Sequence, residues 1–232
     1  MWRQHPNDDL EYMILALSDL HLGSPICQAS LTLHLLENET YDTLIICGDL
    51  LDSYNIHRLC KKQWKVLSAL RKISKDKKCI FIKGNHDKDL ETISALLGFE
   101  FVDEYVQEIN RKKILFTHGD KFDFFITARP FLTELASGVY YLLQKLDKKQ
   151  KLTRKLKTKI KTWRGAAHDL TVRIAQHCYN HKYDAVCFGH THVPKQYHVA
   201  GIECVNLGSQ CELPITYAKI DEDGTITLKQ YE

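Results

Sequence analysis

Five short apolar runs, at residues 12–17, 43–47, 79–82, 114–116 and 184–188, each end in a cluster of polar side chains able to do chemistry. The clusters are Ser18-Asp19-Leu20-His21, Gly48-Asp49, Gly84-Asn85-His86-Asp87, His118-Gly119-Asp120 and Gly189-His190-Thr191-His192. Helix-like stretches separate the first four runs, so residues 12–118 read as alternating β and α structure. Ligands in layered α/β folds bind at the carboxyl ends of strands, where turns aim side chains into a shared crevice. One site can therefore collect residues from all five run ends.

Between residues 121 and 183 the strand pattern stops. Leu135, Val139, Leu142, Leu143 and Leu146, then Leu152, Leu156, Ile160 and Trp163, recur at helical spacing, which predicts a helical insertion of two or three helices over 121–183. Residues 196–228 read as short strands with a turn at Asp223-Gly224. A chain of 232 residues then forms a single domain, 1–232, that carries this insertion.

Composition removes several classes. With 44% hydrophobic and 26% charged residues the chain is neither disordered nor of low complexity. Its longest apolar runs fall far short of the roughly 20 residues that a membrane-spanning helix needs. Asp8, Asp9 and Glu11 stand where an export signal requires a basic start, so a cytoplasmic location is expected. None of the eight cysteines forms a CxxC pair, and Cys47, Cys79 and Cys187 lie inside apolar runs; buried free thiols are expected. The net charge of +3 conceals an asymmetry: residues 145–164 hold ten Lys or Arg and one acid, Asp147, while the rest of the chain has 22 bases and 28 acids. The chain reads as an acidic body with one strongly basic segment.

Taken together, the polar run ends supply Asp19, His21, Asp49, Asn85, His86, His118, His190 and His192. On an extended segment residues i and i+2 point the same way, so Asp19 with His21, and His190 with His192, can each offer two ligands toward one point. A lone Asp-x-His or His-x-His is common by chance, and a Gly-Asp after a strand is usually a turn; the inference rests on their order and company. Mixed imidazole and carboxylate donors suit transition metals better than Ca or Mg, and the inventory suffices for two metals sharing a carboxylate.

In order, the five clusters resemble the five motifs of the calcineurin-like metallophosphoesterases, over roughly residues 12 to 220. The resemblance implies an α/β fold, a four-layer α/β/β/α sandwich with a helical insertion (cap) after the fourth motif, and a binuclear metal centre. It places Asp19, His21 and His192 on one metal, Asn85, His118 and His190 on the other, and Asp49 between them. Two cations so held activate a bridging water to hydroxide and neutralise a phosphoryl oxygen during in-line attack. Manganese is the leading expectation, with Fe, Zn or Co also open. His86 is expected to protonate the leaving oxygen or stabilise the transition state, and Asp87 to hold its ring.

For the substrate, His118-Gly119-Asp120-Lys121-Phe122-Asp123, the helical insertion and Gly189-His190-Thr191-His192-Val193-Pro194 resemble the UDP-2,3-diacylglucosamine diphosphatase branch, which releases UMP and diacylglucosamine 1-phosphate. A basic amphipathic helix at 145–164 offers cations for phosphates and an apolar slot for acyl chains, and with them peripheral contact at the inner membrane face. Lys121, Arg129, Arg154 and Arg164 are the candidate substrate-phosphate contacts. Three other readings stay open: a solvated basic helix with no ligand, a broad phosphodiesterase or nuclease drawing nucleic acid to the same cations, and a scaffold of this fold without catalysis.

Overall fold

The computed structural model describes residues 12–53, 55–87, 90–123 and 161–232, with side chains omitted at 161–164 and 166. Strands β1 (Ile14–Leu17), β2 (Thr43–Cys47), β3 (Lys78–Ile82) and β4 (Glu100–Val102) run parallel, joined by helices α1 (Ala29–Asn38), α2 (Lys61–Ile73) and α3 (Glu91–Leu97). A second sheet holds β5 (Tyr105–Ile109), β6 (Lys112–Phe116), β7 (Ala185–Phe188), β8 (Lys195–Val199) and β9 (Ile202–Asn206), in the order β5-β6-β7-β9-β8. Of the last strands, β10 (Ile215–Ile220) returns antiparallel to β1 and β11 (Ile226–Tyr231) pairs antiparallel with β10, giving the first sheet the order β11-β10-β1-β2-β3-β4.

Alternation along the strands builds the layers. In β1, Ile14 and Ala16 point between the sheets, where they join Ile45, Cys47, Ile80 and Ile82 from the first sheet and Ile114, Phe116, Ala185, Cys187 and Val205 from the second. Leu15 and Leu17 point the other way, onto Leu35, Leu36, Val66, Leu70 and Leu97 of α1, α2 and α3. Strands buried on both faces read as continuous apolar runs. Each fully buried aliphatic side chain contributes about 1.5–3 kcal/mol.

Helix α4 (Lys161–His181) covers the outer face of the second sheet through Leu170, Ile174, Ala175 and Cys178, which pack on Leu115, Val186, Phe188, Ile202 and Cys204. The architecture is the expected α/β/β/α sandwich, and the end of the 121–183 stretch serves as its fourth layer. Residues 124–160 lie outside the described residues. All eight cysteines are free; six are buried, whereas Cys27 is half-buried and Cys60 is exposed.

The sequence pattern missed β4 and β5. Both are edge strands, only part-buried, so neither shows the apolar run that marks β1, β2 and β3. Asn110 and Arg111, both at positive φ, form the two-residue turn that closes the β5–β6 hairpin.

Candidate metal centre

The site forms where β1, β2 and β3 of one sheet and β6 and β7 of the other deliver their carboxyl ends to the same edge. The loops there are stitched by backbone hydrogen bonds: Asp19 N–H donates to the Gly48 carbonyl (3.1 Å), His21 N–H to Asp49 (2.9 Å), and Gly189 N–H to His118 (3.1 Å). Gln210 N–H donates to the Asp19 carbonyl (3.0 Å), which ties the loop leading to β10 to the same edge. Asp19, His21, Asp49, His190 and His192 all have positive φ, five of the nine such non-glycine residues among those described. Left-handed backbone at non-glycine positions is costly, and it clusters where side chains must be aimed.

Glycine lets these loops approach closely. A Cβ on Gly48, whose φ is +85°, would stand 2.3 Å from His118 Nδ1, and one on Gly189 would stand 1.7 Å from Ser18 Oγ and 2.3 Å from Asp19 Oδ2. Neither position can carry a larger side chain without displacing a site residue.

Two buried aspartates form the floor, and each divides its oxygens the same way. Asp19 Oδ2 accepts from the His190 backbone N–H (2.9 Å), and Asp49 Oδ1 accepts from that of His86 (3.0 Å). The other oxygens face imidazoles. Asp19 Oδ1, which accepts no hydrogen bond, lies 3.0 Å from His192 Nε2 and 3.6 Å from His21 Nε2. Asp49 Oδ2 lies 3.5 Å from His118 Nε2, 3.6 Å from His21 Nε2 and 3.9 Å from His86 Nε2. Most of these separations exceed hydrogen-bond length, yet they suit donor atoms arranged around a common cation. Three groups of converging donors result: Asp19, His21 and His192; Asp19, Asp49 and His118; and His21, Asp49 and His86.

The ring nitrogens are oriented from behind. His118 Nδ1 donates to the Cys47 carbonyl (2.9 Å), which turns Nε2 toward Asp49 and toward Asn85 Oδ1 at 3.1 Å. An outer hydrogen bond of this kind is what fixes a metal-ligating histidine. His190 Nε2 pairs with Asp123 Oδ2 (3.0 Å), leaving Nδ1 as the ring nitrogen for a cation. The electrostatics follow from crowding. Burial pushes the Asp19 and Asp49 carboxyls up, but the surrounding histidines outweigh it and hold both well below the usual carboxylate range. Burial lowers His118, but Asp49 outweighs it and raises the ring well above the ordinary histidine value. A cation among these donors takes over the role of the protons, so the donor set fits a divalent transition metal.

The structure thus brings together Asp19, His21, Asp49, Asn85, His86, His118, His190 and His192, and it corrects one expected role. Asp87 does not hold the His86 ring, whose Nδ1 instead donates to the Asp52 carbonyl (3.0 Å). Asp87 accepts from the backbone N–H groups of Asp49 (2.6 Å), Gly84 (3.0 Å) and Leu50 (3.2 Å), clamping the loops after β2 and β3 together. Burial, with Asp49 beside it, pushes its carboxyl up to about 7.

Lys121, expected on substrate phosphate, forms an ion pair with Glu104. Arg129 and Arg154 lie outside the described residues, and Arg164 falls on the first turn of α4 without a described side chain. Sequence reasoning gave no role to Asp52 or Asp123. Each acts by supporting a histidine far away in the chain, and only the fold reveals such a pairing.

Residues 12–194 match the family model described as calcineurin-like phosphoesterase. The chain belongs to that family. Membership implies divalent metals, and the converging aspartates and histidines are the residues able to hold them. No match is found among curated protein sequences. Solved structures with a similar fold include an archaeal phosphodiesterase, at 18% identity, a TM-score of 0.52 and coverage of 94% of this chain and 99% of that one. The phosphoesterase YfcE from E. coli aligns at 17% identity and a TM-score of 0.51, over 95% and 100% of the two chains. Vacuolar Protein Sorting 29 from Cryptosporidium parvum aligns at 14% and 0.51, over 96% and 97%. At these identities the likeness is one of fold.

Proposed function

We propose that this calcineurin-like phosphoesterase is a hydrolase of phosphodiester or pyrophosphate bonds that works with two divalent cations. The observation that carries the reading is the division of labour in Asp19 and Asp49, each spending one oxygen on another loop's backbone and turning the other toward imidazoles. Asp19, His21 and His192 would hold one cation, Asn85, His118 and His190 the other, with Asp49 shared. Bound there, the cations supply charge against a phosphoryl oxygen and a lowered pKa for water; manganese is the first choice, with Fe, Zn or Co as alternatives.

The chain's own residues do the rest. His86, about one-third exposed, stands at the mouth with Nε2 facing the floor and Nδ1–H fixed on the Asp52 carbonyl. In its protonated form it offers Nε2–H to the leaving oxygen or to charge building on the phosphoryl group. Asp87 keeps Asp49 and the loop of Asn85 and His86 in register, which makes it a positioning residue.

UDP-2,3-diacylglucosamine is the specific substrate that the insertion favours, through the cations and apolar stripe of residues 145–164, with peripheral membrane contact by the same segment. The experiment is release of product by metal-loaded protein from UDP-2,3-diacylglucosamine, an unacylated UDP-sugar and a bis-aryl phosphodiester, each with and without chelator. Chelator-sensitive turnover of the acylated substrate alone establishes the lipid-linked assignment. Equal turnover of all three leaves a broad phosphodiesterase, and no turnover of any overturns the hydrolase.

A further inference from the structure

The acidic balance of the chain outside 145–164 is uneven. Residues 53–75 contain seven cations, Arg58, Lys61, Lys62, Lys65, Arg71, Lys72 and Lys75, and no acid at all. Most of this stretch is α2, whose apolar residues Val66 and Leu70 are buried against the first sheet. The opposite stripe, Lys61, Trp64, Lys65, Ser68, Lys72 and Lys75, follows helical spacing and is exposed along its whole length. Among the described residues none of Lys61, Lys62, Lys65, Lys72 and Lys75 belongs to an ion pair. Trp64 lies among these lysines with 46% of its surface open to solvent.

The N-terminal end of α2 is tied to loops of the candidate metal centre. Arg58, two residues before the cap of α2, is paired with Asp52, and the Asp52 carbonyl holds the His86 ring. On the first turn of α2 the buried Gln63 donates from Nε2 to the Ser24 carbonyl (2.9 Å), and Ser24 N–H donates to the His21 carbonyl (2.9 Å). The cationic end of the helix is therefore pinned to loops that carry two site histidines.

We infer that the exposed face of α2 is a docking surface for the sugar–phosphate backbone of a single-stranded oligonucleotide, with Trp64 as a platform for one base. The stripe is about 20 Å long at 1.5 Å per residue, enough to track several phosphates. Unpaired lysines flanking an exposed aromatic ring combine backbone charge with base stacking. A membrane surface fits less well, because the apolar face of α2 is buried and, among the described residues of this stretch, only Trp64 and Ile56 are large apolar side chains open to solvent. The surface rests on the phosphodiesterase reading rather than the lipid-linked one and gives it a polymeric substrate, but binding to it needs no catalysis.

The test uses the full chain in EDTA, with fluorescence anisotropy of a labelled 20-nucleotide oligo(dT) over a range of salt concentrations. Binding is expected to weaken as salt rises. Lys61→Glu, Lys65→Glu and Lys72→Glu together should lower affinity at least ~10-fold and flatten the log–log salt slope by about 2. Trp64→Ala should lower it ~5- to 100-fold with the slope unchanged. Metal-loaded triple variant should hydrolyse a bis-aryl diester at the wild-type rate, so loss of oligonucleotide binding is separable from loss of the site. Absent binding by the wild type overturns the proposal. So does binding that survives the α2 changes but is lost on reversing Lys155, Lys157 and Lys159, or α2 changes that release the protein from phosphatidylserine vesicles while sparing the oligonucleotide.

Discussion

The floor and the rim of the metal centre are built on different principles. Asp19 and Asp49 are buried, and each is tied by one oxygen to the backbone of a loop from another strand. His86, His190 and His192 are part-exposed, and the hydrogen bonds that orient the first two, from the Asp52 carbonyl and Asp123, come from outside the donor set. A floor fixed by many backbone contacts holds position and charge, whereas a rim fixed by few leaves its nitrogens accessible to an incoming group. The contrast separates the buried aspartates that anchor a metal from His86, the one rim histidine assigned to neither proposed cation.

The largest expected effect that sharpens this contrast is at the floor. Asp19→Ala should remove bound metal and lower turnover by at least ~10³-fold, measured as metal content by mass spectrometry beside diester hydrolysis. At the rim, His86→Ala should cost ~10²- to 10⁴-fold in kcat while metal content stays at the wild-type level. Metal loss equal to that of Asp19→Ala would erase the distinction between the two regions.

A smaller effect tests the clamp beneath the floor. Asp87→Ala leaves the N–H groups of Asp49, Leu50 and Gly84 without their acceptor, for an expected loss of about 2–4 kcal/mol in denaturant unfolding with EDTA present. Unchanged stability would show that these loops are held by something else.

The smallest effect lies away from the site, where Glu39 accepts from Tyr217 (2.6 Å) and Lys219 (3.0 Å) and so joins the end of α1 to β10. Burial pushes its carboxyl up, but these two donors outweigh it and hold it below the ordinary value. A depressed folded pKa adds stability above the unfolded value near 4.3, and that stability is lost as pH falls through the folded value. Glu39→Gln should therefore cost about 0.5–1 kcal/mol at pH 6–7, and the difference should shrink as pH falls below the unfolded value and vanish below the folded one. A gap that stays constant across that range would contradict the assignment.

Much of this organisation is legible in the sequence because strands buried on both faces must be continuously apolar, and their abrupt polar ends then stand out. All eight residues of the expected constellation meet at one edge for that reason. What stayed hidden depends on contacts between distant segments. Asp87 looks like a partner for its neighbour His86, but its carboxylate faces backbone N–H groups of the β2 loop instead. Asp52 supports His86 through a carbonyl, which every residue possesses and no motif records. The edge strands β4 and β5 were invisible because partial exposure removes the apolar signal. The helical insertion expected over 121–183 did not show that its end would cover the second sheet as α4.

The most direct test of the two-cation reading is a titration of chelator-stripped wild-type protein and its Asp49→Ala variant with Mn, following hydrolysis of a bis-aryl phosphodiester. Wild-type activity should return in full at about two equivalents of metal, and the variant should stay inactive at any concentration. Activity that survives the chelator, or a variant that recovers the wild-type rate, would contradict a hydrolytic centre built around Asp49.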